Sequence, residues 1–315
     1  MPKDGSIERV GISEWGTHPC PPEYLCDLLS ETVSDCEFTL LEGDDVVDVE
    51  AVVTLYHHDA YLDGDLRWVH DIRSGYEDFP VSAYEDEEII LTNSTGVAGD
   101  LVGESVVGLV LSLAKGFHRY RDKQAAREWE RIPWRRPFEV SGSSACVVGV
   151  GELGGSVATR LGVLGMDVVG VDIRPVSGLG LDRVYDAARI QQAVEDARFV
   201  VLTTPLTEAT RGLVDRDIFD AMRDDAYLVN VSRGAIVDQD ALVEALENDD
   251  IAGAALDVFY DEPLPADAPF WEMEEVIVTP HAAAQAATYG DRIADLLETN
   301  LSRLGDGGTL WNRIV

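Results

Sequence analysis

The chain contains six histidines, and one of them, His281, closes the run Val276-Ile-Val-Thr-Pro280-His281. A β-rich run stopped by proline sets that imidazole at a strand end, where it can exchange a proton with a substrate oxygen. A carboxylate beside the ring would fix its tautomer. Glu262, in Ala255-Leu-Asp257-Val-Phe-Tyr-Asp-Glu262-Pro263, is the natural candidate. Arg233 follows a third apolar run, Leu228-Val-Asn-Val-Ser-Arg233-Gly, and its planar guanidinium can hold a substrate carboxylate through paired bonds. Taken singly, each has a plainer reading. Arg233 fits a surface ion pair, His281 a loop residue, and Glu262 is one of 59 acidic residues.

A second motif points to a cofactor. Cys146-Val-Val-Gly149-Val-Gly151-Glu-Leu-Gly154 leads through a helical stretch to Val-Val-Gly-Val-Asp172. A bare GxGxxG is weak, because glycines are common in turns. Here a Val-rich run precedes it, helical spacing follows it, and an acid closes the next run. Gly149 can make the tight turn, Gly151 lets the backbone reach a pyrophosphate, and Gly154 permits close helix–strand packing. The pyrophosphate then lies at a helix N-terminus, where free N–H groups and the dipole favour anions. Asp172 lies 23 residues after Gly149, where a ribose-binding acid belongs. Its carboxylate accepts from both ribose hydroxyls and repels a 2′-phosphate, so the expected cofactor is NAD rather than NADP. Arg174 pulls the other way, since a nearby arginine can hold that phosphate. The alternative is that these glycines only turn a strand in a flavodoxin-like domain. His57-His58 carries no metal reading: adjacent histidines on a strand face opposite ways, and no nearby Cys or Glu completes a ligand set.

These groups need strands that all end on one side. From residue 145 to 281 the pattern is β–α–β–α without pause, with strands expected at 145–150, 167–171, 199–203, 227–231, 253–256 and 276–279. Their near-continuous valine suits strands buried on both faces. Helices at 153–164 and 240–246 show apolar spacings of three and four. That alternation predicts a doubly wound parallel sheet, which binds ligands at the C-terminal ends of its strands. The first ninety or so residues alternate short β-rich runs (9–12, 37–41, 51–55, 68–72, 89–92) with polar or helical stretches. Val102, Val106, Val110 and Leu113 predict one long helix ending near Tyr120. An Arg- and Trp-rich stretch, 127–136, broken by Pro133, reads as an irregular arm suited to a subunit interface. A last helix, 285–304, can return to the N-terminal domain.

Charge narrows the classes of partner. The 315 residues carry 59 acidic and 24 basic side chains, a formal net charge of −35, and only three lysines (Lys3, Lys115, Lys123). The carboxylates are dispersed rather than gathered in a tail. Molar salt screens their repulsion to roughly 3 Å, so the composition reads as adaptation to the salt-filled cytoplasm of a halophilic archaeon. That field of charge argues against a nucleic-acid or anionic-membrane partner, because phosphate binding needs a basic patch. The most apolar run, 106–114, is too short to span a bilayer. Four cysteines without metal spacing, and no secretory leader, suit a reduced cytoplasmic protein.

The order GxGxxG, Asp, Arg-Gly, Asp, Glu-Pro, Thr-Pro-His resembles the D-isomer-specific 2-hydroxyacid dehydrogenases, from about Arg73 to the C-terminus and most specifically between Gly149 and His281. The resemblance implies two Rossmann-like domains: a doubly wound parallel-sheet NAD-binding domain, 99–284, and a smaller split flavodoxin-like substrate domain, 1–98 completed by 285–315. It implies that Arg233 binds a 2-oxo acid carboxylate, that His281 is the acid/base, and that Glu262 orients it. Asp257 would meet the nicotinamide carboxamide, with Val102 near the ring. Leu153 and Gly154 would give backbone to the pyrophosphate, and Thr204, Pro205, Thr210 and Val231 would line the cofactor. Ser74, Gly75 and Tyr76, in Arg73-Ser-Gly75-Tyr76, would grip the substrate carboxylate. A homodimer and a D-hydroxy acid product are further implications. Thr203 departs from a common histidine, and Tyr76-Glu-Asp-Phe79 and Ala282–Ala284 depart near the substrate. Glu262 in place of glutamine argues against a formate dehydrogenase. Phosphoglycerate oxidation and a non-catalytic NADH-sensing interaction protein are the competing functions; no cluster of basic residues for a phosphate stands near Gly75. One expectation follows from charge alone: activity and folding persist in molar KCl and fail in dilute buffer, measured by turnover and thermal melts. Full activity without added salt would contradict the halophile reading.

Overall fold

The computed structural model describes residues 6–16, 19–43, 46–63, 65–134, 136–176 and 180–315. The chain divides into two compact units, residues 1–98 with 285–315 and residues 99–284. The first opens with β1 (Arg9–Ile12), α1 (Pro22–Thr32), β2 (Glu37–Leu40), β3 (Ala51–Thr54), α2 (Ala60–Asp63), β4 (Trp68–Asp71), α3 (Val81–Asp86) and β5 (Ile90–Asn93). Its five parallel strands run in the order β2-β1-β3-β4-β5, the flavodoxin-like winding.

The second unit holds α4 (Gly99–Lys115), α5 (Phe117–Ala126), β6 (Ser144–Val148), α6 (Glu152–Val163), β7 (Asp167–Asp172), β8 (Arg183–Asp186), α7 (Ile190–Val194), β9 (Phe199–Leu202), α8 (Arg216–Ala221), β10 (Tyr227–Asn230), α9 (Gln239–Glu247), β11 (Gly253–Leu256) and β12 (Val276–Val278). Its seven strands are parallel, in the order β12-β11-β10-β9-β6-β7-β8. The order reverses direction between β6 and β9, a Rossmann switch point. Every residue of β9, β10 and β11 is buried, as their apolar runs require of strands covered on both faces. Each fully buried Leu, Val or Phe there contributes roughly 1.5–3 kcal/mol. Asp238 caps α9 by accepting from the Ala241 amide at 3.1 Å.

The last helix, α10 (Tyr289–Gly305), belongs to the first unit, where it packs on α1. The tail after it is stitched to β5, with the Ile314 amide donating to Leu91 O at 2.8 Å.

Two expectations need correction. The helix begun near residue 100 stops at Lys115 rather than near Tyr120, because Gly116 takes φ +66°. The chain bends by 69° there and starts α5. β8 was not foreseen; it is a short, half-exposed, charged edge strand with no apolar run to announce it. The arm at 127–136 is irregular among its described residues, Arg135 lying outside them, and Trp129 and Trp134 are exposed. No single helix among the described residues is long and apolar enough to cross a membrane; the bent α4–α5 pair passes that test by length and composition only.

β4 ends in an unusual group. Asp71 is completely buried, its Oδ1 accepting from the Arg73 amide at 2.9 Å and Nε at 3.4 Å. Burial pushes its carboxyl from the ordinary range up to about 7, although the Arg73 charge and hydrogen bonds pull it down. The folded chain therefore holds this proton more tightly than the unfolded chain, and stability falls as pH rises from about 4 to about 7. Asp71→Asn is expected to raise stability above pH 7 by on the order of 3 kcal/mol, with the gain vanishing near pH 4. Melting curves of the two proteins across that range check it.

Candidate active site

The turn after β6 is built by three glycines with different reasons to be glycine. Gly149 has φ +91°, and a Cβ there would stand 2.7 Å from Thr204 Cγ2. A Cβ on Gly154 would fall 1.9 Å from Gly149 O, so only glycine lets α6 press against the turn. Gly151 is different, because its Cβ would meet nothing nearer than the tip of Arg174, 3.8 Å away. The space over Gly151 is the opening of a groove of about 730 Å³ lined by Val150, Gly151, Glu152, Ser156, Arg174 and Pro175. Gly151 also sits at the N-cap of α6 with no side-chain cap, so the first-turn amides of a twelve-residue helix face that end. This cradle fits the pyrophosphate of a dinucleotide. Leu153 and Gly154 lie in that first turn.

Asp172 ends β7 beside the turn. It is 9 % exposed, and its Oδ2 accepts from the Val150 amide at 2.9 Å. Arg174 folds back on it, the amide and Nε donating to Oδ1 at 2.9 and 3.0 Å and Nη2 to Oδ2 at 3.1 Å. The Arg174 hydrogen bonds, foremost, hold the Asp172 carboxyl below the usual range against the opposing effect of burial.

The three downstream motifs meet beyond β10, β11 and β12. His281 has φ +51° and its Nδ1 lies 2.7 Å from Glu262 Oε2. The other Glu262 oxygen accepts from the Phe259 amide at 2.9 Å. Burial pushes the Glu262 carboxyl up, but the bonds from His281 and Phe259 and the charges of His281 and Arg233 outweigh it and hold it low. Arg233 reaches this field because Gly234 lies flat against Phe259, where a Cβ would stand 2.0 Å from its carbonyl carbon. Arg233 Nη1 donates to Ser232 O at 2.8 Å.

Asp257, directly after β11, braces the loop that carries His281. The residue is 1 % exposed, and its side chain is turned into the His281 loop. Its Oδ1 accepts from Thr279 Oγ1 at 2.5 Å and the Ala282 amide at 2.9 Å, and its Oδ2 from the Ala283 amide at 3.0 Å. The His281 amide also donates to Asp257 O at 2.8 Å. Asn230 was missed altogether; its Oδ1 accepts from the Ser232 amide and its Nδ2 donates to Arg233 O, both at 3.1 Å. An Asn at a strand end before a turn is the signal that could have found it.

The remaining expected residues fall as follows. Thr204 stands against Gly149, its Oγ1 buried without a hydrogen-bond partner among the described residues. Thr203 Oγ1 donates to Gly149 O at 2.7 Å and so braces the glycine turn. Pro205 O accepts from Thr210 Oγ1 at 2.6 Å. Val231 and Val102 are buried. In the other unit, Ser74 is tied to the end of β5, its carbonyl accepting from Asn93 Nδ2 at 2.6 Å; Gly75 follows, and Tyr76 is exposed. His57 bonds Tyr84 OH at 2.8 Å, and the described residues hold no cluster of three metal-ligating side chains.

The family model for the D-isomer specific 2-hydroxyacid dehydrogenase NAD binding domain matches residues 107–283, more than half of the chain. A glyoxylate reductase from Korarchaeum cryptofilum is 29% identical over 298 residues, 93% of this chain and 86% of that protein. An (S)-sulfolactate dehydrogenase from Chromohalobacter salexigens is 32% identical over 240 residues, 76% of this chain and 77% of its own. The crystal structure of a D-isomer specific 2-hydroxyacid dehydrogenase family protein from Aeromonas salmonicida superposes with a TM-score of 0.85 at 25% identity, covering 98% of this chain and 99% of that one. The chain therefore belongs to the D-isomer specific 2-hydroxyacid dehydrogenase family and is an oxidoreductase with a Rossmann NAD-binding domain.

Proposed function

We propose that the chain interconverts small 2-oxo acids and D-2-hydroxy acids with NAD(H), using Arg233, Glu262 and His281. The observation that carries this reading is the 2.7 Å contact of His281 Nδ1 with Glu262 at the strand ends of the dinucleotide-binding unit. With Nδ1 held by the carboxylate, Nε2 is the ring atom that passes the proton. The nicotinamide, when bound, supplies the hydride that reduces the substrate carbonyl carbon. His281 Nε2 gives its proton to the carbonyl oxygen as negative charge develops there, and Glu262, bonded to Nδ1, orients the ring. In the oxidative direction the same nitrogen removes the hydroxyl proton. Arg233 pairs with the substrate carboxylate and fixes the orientation of the carbonyl.

The carboxylate of Asp172 at the ribose position supports NAD over NADP. Likeness to a glyoxylate reductase and to glyoxylate/hydroxypyruvate reductases makes glyoxylate and hydroxypyruvate the first substrates to assay, followed by branched and aromatic 2-oxo acids. The free cysteines and acidic, lysine-poor surface support a cytoplasmic setting in high salt. Trp129 and Trp134, exposed on the arm, support pairing with a second copy of the chain.

NADH consumption in molar KCl against that panel tests the reading. Turnover on at least one acid is expected, with kcat lowered roughly 10²- to 10⁴-fold in His281→Ala. Arg233→Ala is expected to raise KM as well. NADH binding without turnover on any acid would replace this reading with that of an NADH-sensing protein.

A further inference from the structure

The hydrogen bonds at Asp172 use its carboxylate fully. A carboxylate offers about four acceptor positions. Here Oδ1 takes the Arg174 amide and Nε, and Oδ2 takes the Val150 amide and Arg174 Nη2, all between 2.9 and 3.1 Å. Two of those positions belong to the turn and stay occupied whatever binds. The other two belong to the guanidinium, gripping both oxygens as a bidentate fork. A ribose diol brings two hydroxyls that need acceptors, and the positions it needs are the two that Arg174 holds.

The guanidinium also stands at the open side of the glycine turn. The Arg174 side chain is 63% exposed, against 5% for that of Asp172, and its Nη2 lies 3.8 Å from the point a Gly151 Cβ would occupy. It lines the groove at the N-terminus of α6 together with Gly151 and Pro175. A side chain with one end in solvent can swing away without disturbing the fold; the buried carboxylate cannot. Once released, the fork is a cation beside the ribose position, with donors matched to a phosphate.

Resting on the reading of this turn as the dinucleotide site, we propose that Arg174 is a latch that competes with the adenosine ribose for Asp172. NADH binds only after the guanidinium has left the carboxylate, so Arg174 depresses affinity for NADH. The displaced guanidinium meets the 2′-phosphate of NADPH, so the same side chain supplies affinity for NADPH. One residue thereby narrows the preference that Asp172 alone would set. This reverses the sign expected of an ordinary cofactor contact, whose loss weakens both.

Calorimetric titration of the full-length protein with NADH and with NADPH, without substrate, tests the latch in wild type, Arg174→Ala and Arg174→Lys. In Arg174→Ala, NADH is expected to bind about 3- to 10-fold tighter, the modest range set by an ion pair with one exposed partner. NADPH is expected to bind at least 10-fold more weakly, the loss of a charge-assisted pair. Arg174→Lys keeps the charge but not the fork, so it gains NADH affinity while keeping part of its NADPH affinity. NADH binding that is unchanged or weaker in Arg174→Ala would overturn the latch. Binding of neither nucleotide by wild type would overturn the dinucleotide site itself and the latch with it. Catalytic failure with normal nucleotide binding would count against the His281 reading alone.

Discussion

The buried carboxylate of Asp257 is the constraint on which the loop carrying His281 depends. His281 sits at positive φ, a conformation that costs a non-glycine residue roughly 1–3 kcal/mol. Against that cost stand a hydroxyl and two amide donors on one carboxylate, each such bond to a charged group being worth about 1.5–3 kcal/mol. The clamp outweighs the strain. It holds the turn that aims His281 Nδ1 at Glu262, and Glu262 is itself fixed by the Phe259 amide. Gly234, flat against Phe259, then brings Arg233 into the same field. Three strand ends, far apart in sequence, are thus joined through backbone contacts that admit little play.

On the same C-terminal side of the sheet, after β6, the glycines divide the labour. Gly149 and Gly154 are glycine because the protein's own atoms leave no room for a Cβ, and they would be so with nothing bound. Gly151 has open space before it, so its smallness serves whatever approaches the α6 N-terminus. That contrast separates packing from recognition within a single motif. The position of Asp172, buried beside the same turn, makes the pair of sites a matter of one sheet edge rather than of independent loops.

Much of this was legible because parallel strands buried on both faces write themselves as valine runs. β9, β10 and β11 fall within a residue or so of where those runs end, and Arg233 follows three residues after β10. What was hidden had physical reasons to be hidden. β8 is a charged edge strand, and the break at Gly116 is one positive φ inside an otherwise helical pattern. The roles of Asp257 and Asn230 lie in which donors surround a buried polar group, which spacing does not encode. The same holds for Arg174, whose type was noted but whose grip on Asp172 is a matter of geometry.

The claim that Asp257 acts through His281 is tested most directly by a double-mutant cycle. Steady-state kcat would be measured for wild type, Asp257→Ala, His281→Ala and the double variant, with melting curves to confirm folding. Residues that act as one unit are strongly non-additive. Asp257→Ala is expected to cost roughly 10-fold or more in the wild-type background and nothing further once His281 is gone. An equal fold-loss in both backgrounds would contradict it, and would mean that Asp257 works on the reaction independently of the turn it holds.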